Sequence, residues 1–259
     1  MAQNSNKLYT VLPNVKKGVR EERRQIGVSV KNIYTVRSID KYLTKEWFNK
    51  KHYAKRSPST ISYCFGLFYN KKMVGVLCYG MPANGRCLML CTEKYKGNVQ
   101  ELQRVITNDG LEKNALSFFI SQTYKYLPKN TIIISYADPN NGHNGYIYQS
   151  LNFLFTGYAG FNKEYLEPNG KTRTDRYVKK HLIKNNFYDE KLTINKMWEN
   201  YGGKIIFKQP KHRYIYFNAS KKIKKDMYRL LKWEIKQYPK KENTNYDASY
   251  KPITQTSIF

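Results

Sequence analysis

Apolar and polar positions along this chain fall into short runs of two kinds, alternating or spaced three to four residues apart. IYTVRSI (33–39) alternates and predicts a strand. DKYLTKEWFNKKHY (40–53) puts Leu43, Trp47 and Phe48 on one face and predicts a helix with Asp40 as N-cap. SYCFGLFYN (62–70) and KKMVGVLCYG (71–80) are aromatic and β-branched runs around an NKK turn, which predicts a hairpin. Pro82 and Asn84–Gly85 then mark a turn. ELQRVIT (101–107) predicts a strand, and NALSFFISQTYKYL (114–127) has helical spacing until Pro128 stops it. TIIISYA (131–137) is a continuous apolar run and predicts a short buried strand. GYIYQSLNFLFTG is helical in its first half and extended from about Phe153. RYIYFN (213–218) predicts another strand. The stretch SKKIKKDMYRLLKWEIKQY predicts a basic helix with Ile223, Met227, Leu230 and Leu231 on its apolar face.

This order of strands and helices predicts an α/β fold with a mixed central sheet in one domain. The chain has 259 residues, enough for one large domain or a core with extensions. The division expected is a polar, basic N-terminal arm (1–31), a core (32–165), a basic extension (166–241) and a loose tail (242–259). No internal repeat is visible.

Charge narrows the partner. Formal net charge is +27, from 46 Lys and Arg against 19 Asp and Glu. Such a field attracts polyanions, and nucleic acid is the leading one, because cations that neutralise phosphates release counterions. From Lys204 to Lys241 there are thirteen Lys or Arg and two acids, Asp226 and Glu234. Within it Lys222, Lys225, Arg229, Lys232 and Lys236 recur at helical spacing, a positive stripe for DNA or a solvated face. The 24 tyrosines supply surfaces for stacking on bases as well as for a core. No segment has the apolar face or length of a membrane element, and MAQNSNKLYT lacks an apolar signal core, so the expected location is the cytosol. Cys64, Cys78, Cys87 and Cys91 form no C-x-x-C pair and are expected to be buried thiols.

Two resemblances follow from the motifs. The order of elements over 33–160, with ELQRV leading to the helix start KNALSFF and the later YIYQSLNF, resembles the GNAT acyl-CoA transferase fold. The usual Gly-rich pyrophosphate loop of that fold is replaced here by EKNALS. The His52–Tyr53 pair, GVLCYGMP, ELQRV, NALSFFIS, and SYAD followed by GHNGYIYQS together resemble the Mom family of phage DNA-modification proteins, over about residues 45–160. That resemblance implies a GNAT-like core in 32–165, and an enzyme that puts a carbamoylmethyl (acetamido) group on the exocyclic amine of adenine in double-stranded DNA. Such a modification shields a phage genome from restriction in the cytoplasm of the infected bacterial host. It also implies acetyl-CoA as group source and iron held by His52, Tyr53 and Asp138. Oligomeric state stays open, a homodimer included.

Candidate residues follow, each with a plainer alternative. His52, with Tyr53, ends the predicted helix; it is a general base or metal ligand, or an exposed histidine beside lysines. Arg104 lies inside a strand, where an arginine contacts a cofactor or DNA, or pairs with Glu101 or another acid. Asn114 and Ser117 open a helix whose free amides suit the CoA pyrophosphate, and Asn114 also fits an ordinary N-cap. Ser121 lies one turn on, on the same face as Ser117. Asp138 follows a strand at its carboxyl end, where α/β sheets gather ligands, and equally starts an Asp-Pro turn. His143 reads as a loop residue. By the GNAT resemblance, Tyr148 stands where a tyrosine meets the CoA sulfur and acts as general acid. An acetyltransferase for protein or small-molecule amines, and a non-catalytic nucleic-acid-binding protein, are the competing classes. Cutting the chain at about Ser220 is expected to weaken DNA binding and leave the core folded.

Overall fold

The structure is a computed structural model in which residues 29–160 and 162–239 are described. In chain order its elements are α1 (Val30–Ile33), β1 (Tyr34–Ser38), a tight 3-10 turn (Lys41–Thr44), a wide π turn (Trp47–Lys51), β2 (Tyr63–Tyr69), β3 (Lys72–Gly80) and β4 (Val99–Thr107). Then come α2 (Ala115–Thr123), β5 (Thr131–Ala137), α3 (Tyr146–Ser150), β6 (Leu154–Tyr158), β7 (Asn162–Leu166), β8 (Thr172–Thr174) and α4 (Asp175–Lys184). The last are α5 (Ile194–Asn200), β9 (Lys204–Lys208), β10 (His212–Asn218) and α6 (Lys221–Leu230). They divide into two compact units. The larger holds the described residues up to Tyr136, Gly145–Gly157 and Arg213–Tyr238; the smaller holds Ala137–Asn144, Tyr158–His212 and Pro239.

The larger unit is built on a seven-stranded sheet in the order β1-β2-β3-β4-β5-β10-β6. Strands β1 to β4 pair antiparallel and β4 pairs parallel to β5, so the sheet is mixed, as expected. The β2–β3 hairpin turns through Asn70 and Lys71, both at positive φ (44° and 64°), the pair of left-handed residues that matches strand twist. On β5 and β10 the alternate residues Ile132, Ile134, Ile215 and Phe217 share one core cluster with Cys87, Leu90, Cys91 and Met227. A second cluster joins Trp47 and Phe48 to Cys64, Val76 and Cys78. All four cysteines are free and buried, and burial pushes the Cys64 thiol up to about 11 and that of Cys91 to about 12, so they act as small apolar groups.

Four expectations are corrected here. Residues 40–53 do not form one regular helix: the 3-10 turn gives way to the wide turn, which brings the adjacent Trp47 and Phe48 both into the core, and Asp40 makes no side-chain cap bond. Asn114 is not an N-cap of the usual kind; it sits at φ 68°, left-handed, without a side-chain cap bond, and Ala115 N–H instead reaches Glu112 O at 3.0 Å. The boundary at residue 165 also fails, because β10, assigned to a basic extension, lies inside the large sheet between β5 and β6. The basic helix ends at Leu230 rather than near residue 238. Beyond it the chain runs extended, with Lys232 N–H bonded to Leu90 O at 2.9 Å and Lys236 bridged to Phe155. Leu231 and Trp233 pack on the core from that extended segment, an alternation a helix would break.

The smaller unit carries elements the sequence pattern did not reveal. Its sheet has the order β8-β7-β9, and α4 and α5 pack a separate core of Tyr165, Val178, Leu182, Met197 and Trp198. Among the described residues no helix is long and apolar enough to cross a membrane. The arm up to residue 28 and the tail 242–259 lie outside the described residues.

Candidate active site

The parallel strands β4 and β5 pair over three residues only, Val99–Glu101 against Ile132–Ile134. Past that point they part. On β4 the register against β3 shifts, so that Cys78 faces Arg104 and Tyr79 faces Leu102, leaving Gln103 as an extra, bulged residue. A bulge bends its strand, and the result is a cleft between the carboxyl halves of two parallel strands, where open α/β sheets bind ligands. The Ser135 hydroxyl donates to Leu102 O at 2.9 Å, at the floor of the cleft. Three buried polar atoms on β4 lack a hydrogen-bond partner: Gln100 Oε1, Gln103 Oε1 and Arg104 Nε. Each such orphan costs on the order of 1–3 kcal/mol. A ligand that completes their bonds recovers that cost.

Arg104 reaches its neighbour's backbone, Gln103 O, at 2.7 Å through Nη1. Its charge and that of Glu101 both act on Tyr148. Tyr148 is nearly buried on α3, packed on Phe153 and Tyr214 at ring distances of 5.4 and 5.2 Å, with its hydroxyl hydrogen-bonded to Ser135. Burial pushes this hydroxyl up to about 12; Ser135 and Arg104 pull it down, Tyr53 and Glu101 raise it further. At neutral pH it therefore holds its proton and can donate it.

Gly145 positions Tyr148. It precedes α3 at φ 84°, and a Cβ there would lie 2.3 Å from the Tyr214 ring. Replacement Gly145→Ala is expected to cost about 3 kcal/mol, from left-handed strain plus overpacking. A thermal melt checks this; an unchanged melting temperature would mean that the turn gives way easily.

His52 and Tyr53 follow the wide turn. Their rings lie 4.2 Å apart at 32°, and Tyr53 is 45% exposed. His52 Nδ1 accepts the Ala54 N–H at 3.0 Å, so in the neutral ring the proton sits on Nε2. Nε2 is then a donor, which departs from the base or ligand role expected of His52. Through Tyr53 the pair belongs to the surroundings of Tyr148.

At the start of α2 no side chain supplies a cap, which leaves first-turn amides uncapped. Ser117 Oγ turns back to Asn114 O and Ser121 Oγ to Phe118 O, each at 3.0 Å. Both hydroxyls thus bond their own helix; the anion-binding potential of this end rests on amides rather than on Ser117 or Ser121.

Asp138, in the smaller unit, caps the short turn Pro139–Asn141. Its Oδ1 accepts from Asn140 N at 3.1 Å and Nδ2 at 2.9 Å, and its Oδ2 faces Lys211 Nζ at 3.4 Å. Burial raises the carboxyl, but Asn140 and Lys211 outweigh it, and the net shift is downward. His143 is exposed, with its N–H on Asp138 O at 3.1 Å. The iron expected on His52, Tyr53 and Asp138 is not supported by these donors. Both Asp138 oxygens are committed, and His52 Nδ1 is taken. Among the described residues no group of three His, Cys, Asp or Glu converges as a metal site needs.

Of the basic stripe, Lys222, Lys225 and Arg229 are exposed on α6, whereas Lys232 and Lys236 lie past its end. The single helical stripe is thus two groups. Asp226 ties down part of it, bonded by Lys94 at 2.6 Å, Tyr95 at 2.7 Å and Arg229 at 2.9 Å. Lys94 first, then Tyr95, hold its carboxyl well below the usual range. Glu101, Ser135 and Tyr214 were missed as site residues. A carboxylate inside the strand ELQRV was the available sign for the first.

The sequence profile of the Mom protein family matches residues 33–240. The methylcarbamoylase mom of Escherichia phage Mu is 30% identical over 146 residues, which is 54% of this chain and 59% of that protein. The match thus spans under two thirds of that relative's length. Among solved structures, the ribosomal-protein-S18-alanine N-acetyltransferase of Escherichia coli is similar at 8% identity, covering 73% of this chain and 96% of that one, with a TM-score of 0.39. Arabidopsis thaliana NAA60 in complex with acetyl-CoA is similar at 8% identity, covering 71% and 98%, with a TM-score of 0.38.

Proposed function

The chain belongs to the Mom protein family, and from that premise we propose that it is a DNA-modifying transferase that places a carbamoylmethyl group on the exocyclic amine of adenine. The observation that carries the proposal is the parting of β4 from β5, with the protonated Tyr148 hydroxyl under the charges of Arg104 and Glu101, and the unpartnered Arg104 Nε on β4. The net charge of +27 supports double-stranded DNA as the substrate.

Adenine's amine is a poor nucleophile and is paired inside the duplex, so the base must be extruded and held. Tyr53, half exposed beside His52, is the stacking surface for it. Acetyl-CoA fits as the source of the two carbons; acyl transfer alone would leave an N-acetyl group, so the carbamoylmethyl product also requires an ammonia equivalent for its amide nitrogen and a two-electron oxidant at the methyl carbon. The uncapped amides at the start of α2 and the Arg104 side chain are the groups that would hold its phosphates. Tyr148 holds a proton on its hydroxyl for the reacting groups, and Ser135 keeps that hydroxyl in place. Glu101, whose charge acts on Tyr148, is the carboxylate we assign to take a proton from the amine. Lys222, Lys225 and Arg229 on α6 grip the DNA backbone. Protection of phage DNA from restriction in the host cytoplasm follows from the same reading.

The test is mass spectrometry of nucleosides from DNA of cells expressing the protein. A new adenine derivative is expected, and it should vanish with Arg104→Ala. Acetylated amines beside unmodified adenine would replace this reading with an ordinary acetyltransferase; unchanged nucleosides with salt-sensitive DNA binding would replace it with a binding protein.

A further inference from the structure

The smaller unit holds a cavity of about 240 Å³ lined by Arg173, Tyr177, Lys180, His181, Lys184 and Asn185. Four of these stand on α4 at 177, 180, 181 and 184, the spacing that lines one helix face. Val178 and Leu182, fully buried, point the other way, into the unit's core. The helix thus presents an apolar face to the core and a cationic, tyrosine-bearing face to the cavity.

Glu167, a buried acid paired with the lining of this cavity, is already used. Glu167 is 4% exposed, and its carboxylate is paired with Arg173, bonded by Asn169 at 3.1 Å and 3.9 Å from His181 Nε2. It fixes Arg173 from the inner side and leaves Lys180 and Lys184 without an acid partner among the described residues. Tyr177 is 54% exposed, so its ring is open to a ligand. The cavity is smaller than the roughly 300 Å³ at which pockets for whole cofactors begin. It suits a phosphate with its sugar.

We propose that this pocket is a nucleic-acid contact, in which Arg173, Lys180 and Lys184 hold a backbone phosphodiester and Tyr177 lies against the adjoining sugar or base. It rests on the reading of the protein as acting on DNA, and adds a contact outside the C-terminal basic segment. Phosphate contacts position a protein on DNA without reading sequence, so the effect is expected to be the same on any duplex.

The experiment measures binding of the full chain to a duplex by fluorescence anisotropy across a salt series. The double variant Lys180→Ala/Lys184→Ala is compared with Lys50→Ala/Lys96→Ala, which removes the same charge at exposed lysines elsewhere. The first should lower the slope of log K against log salt by about 1, the loss of one phosphate contact. Tyr177→Ala should weaken binding about five-fold or more with the slope unchanged. Thermal melts of all three should match the parent. If the pocket variant merely tracks the control pair, the pocket is not a DNA contact. Competition with dAMP and with inorganic phosphate separates the sources: tight binding of either, lost in the pocket variant while duplex binding is kept, overturns the strand assignment. If nucleosides prove unmodified but the slope still falls, the catalytic reading fails and the pocket stands. Modified adenine with an unaltered slope gives the reverse.

Discussion

Ending the chain before Ser220 is expected to unfold the larger unit, not merely to weaken DNA binding. The deleted segment supplies Met227, fully buried, and Ile223, Leu230, Leu231 and Trp233 packed on the same cluster. Trp233 also lies 3.6 Å under the Arg213 guanidinium, and Tyr238 donates to Phe153 O at 2.8 Å. Removing one buried methionine side chain alone costs about 2–5 kcal/mol. Whole domains are stable by only about 5–15 kcal/mol, so losing five such groups consumes most or all of it. Circular dichroism during heating and urea titration give the measurement. A truncated protein that melts cooperatively within a few degrees of the full chain would restore the separable extension expected from the sequence.

Tyr148→Phe is expected to lower the modification rate about 10²–10⁴-fold, the usual worth of a positioned general acid. Its stability cost is small, about 1 kcal/mol for one neutral hydrogen bond. DNA binding should not change. The hydroxyl's value of about 12 means that it does not titrate between pH 5 and 9, so it contributes no inflection to the rate there. The sign for stability follows from the same shift. Between about 10 and 12 the unfolded tyrosine loses its proton while the folded one keeps it, so this group's contribution is complete below pH 10 and declines as pH rises towards 12. A Phe variant with full activity would remove Tyr148 from the chemistry.

The strands β1 to β5 were legible because their signals are local. Alternation, Pro128 and the left-handed pair at Asn70–Lys71 each act within a few residues. The departures follow from contacts that the tertiary structure makes. Trp47 and Phe48, adjacent in sequence, both turn inward through a wide turn. Asp138 has its carboxylate spent on Asn140 and Lys211, and Lys211 is far away in the chain. The α4 face Tyr177–Lys180–His181–Lys184 repeats at helical spacing and could have been found in TDRYVKKHLIK.

The chain by itself determined the mixed α/β class, the strong positive charge and the order of motifs, because each depends on residue type and short spacing alone. Tertiary structure alone decided three things. It placed β10 between β5 and β6, parted β4 from β5 at a bulged Gln103, and set Tyr148 on Ser135. Each joins residues distant in sequence, and such pairing is selected by the summed burial and hydrogen bonding of the whole sheet, which no local pattern encodes.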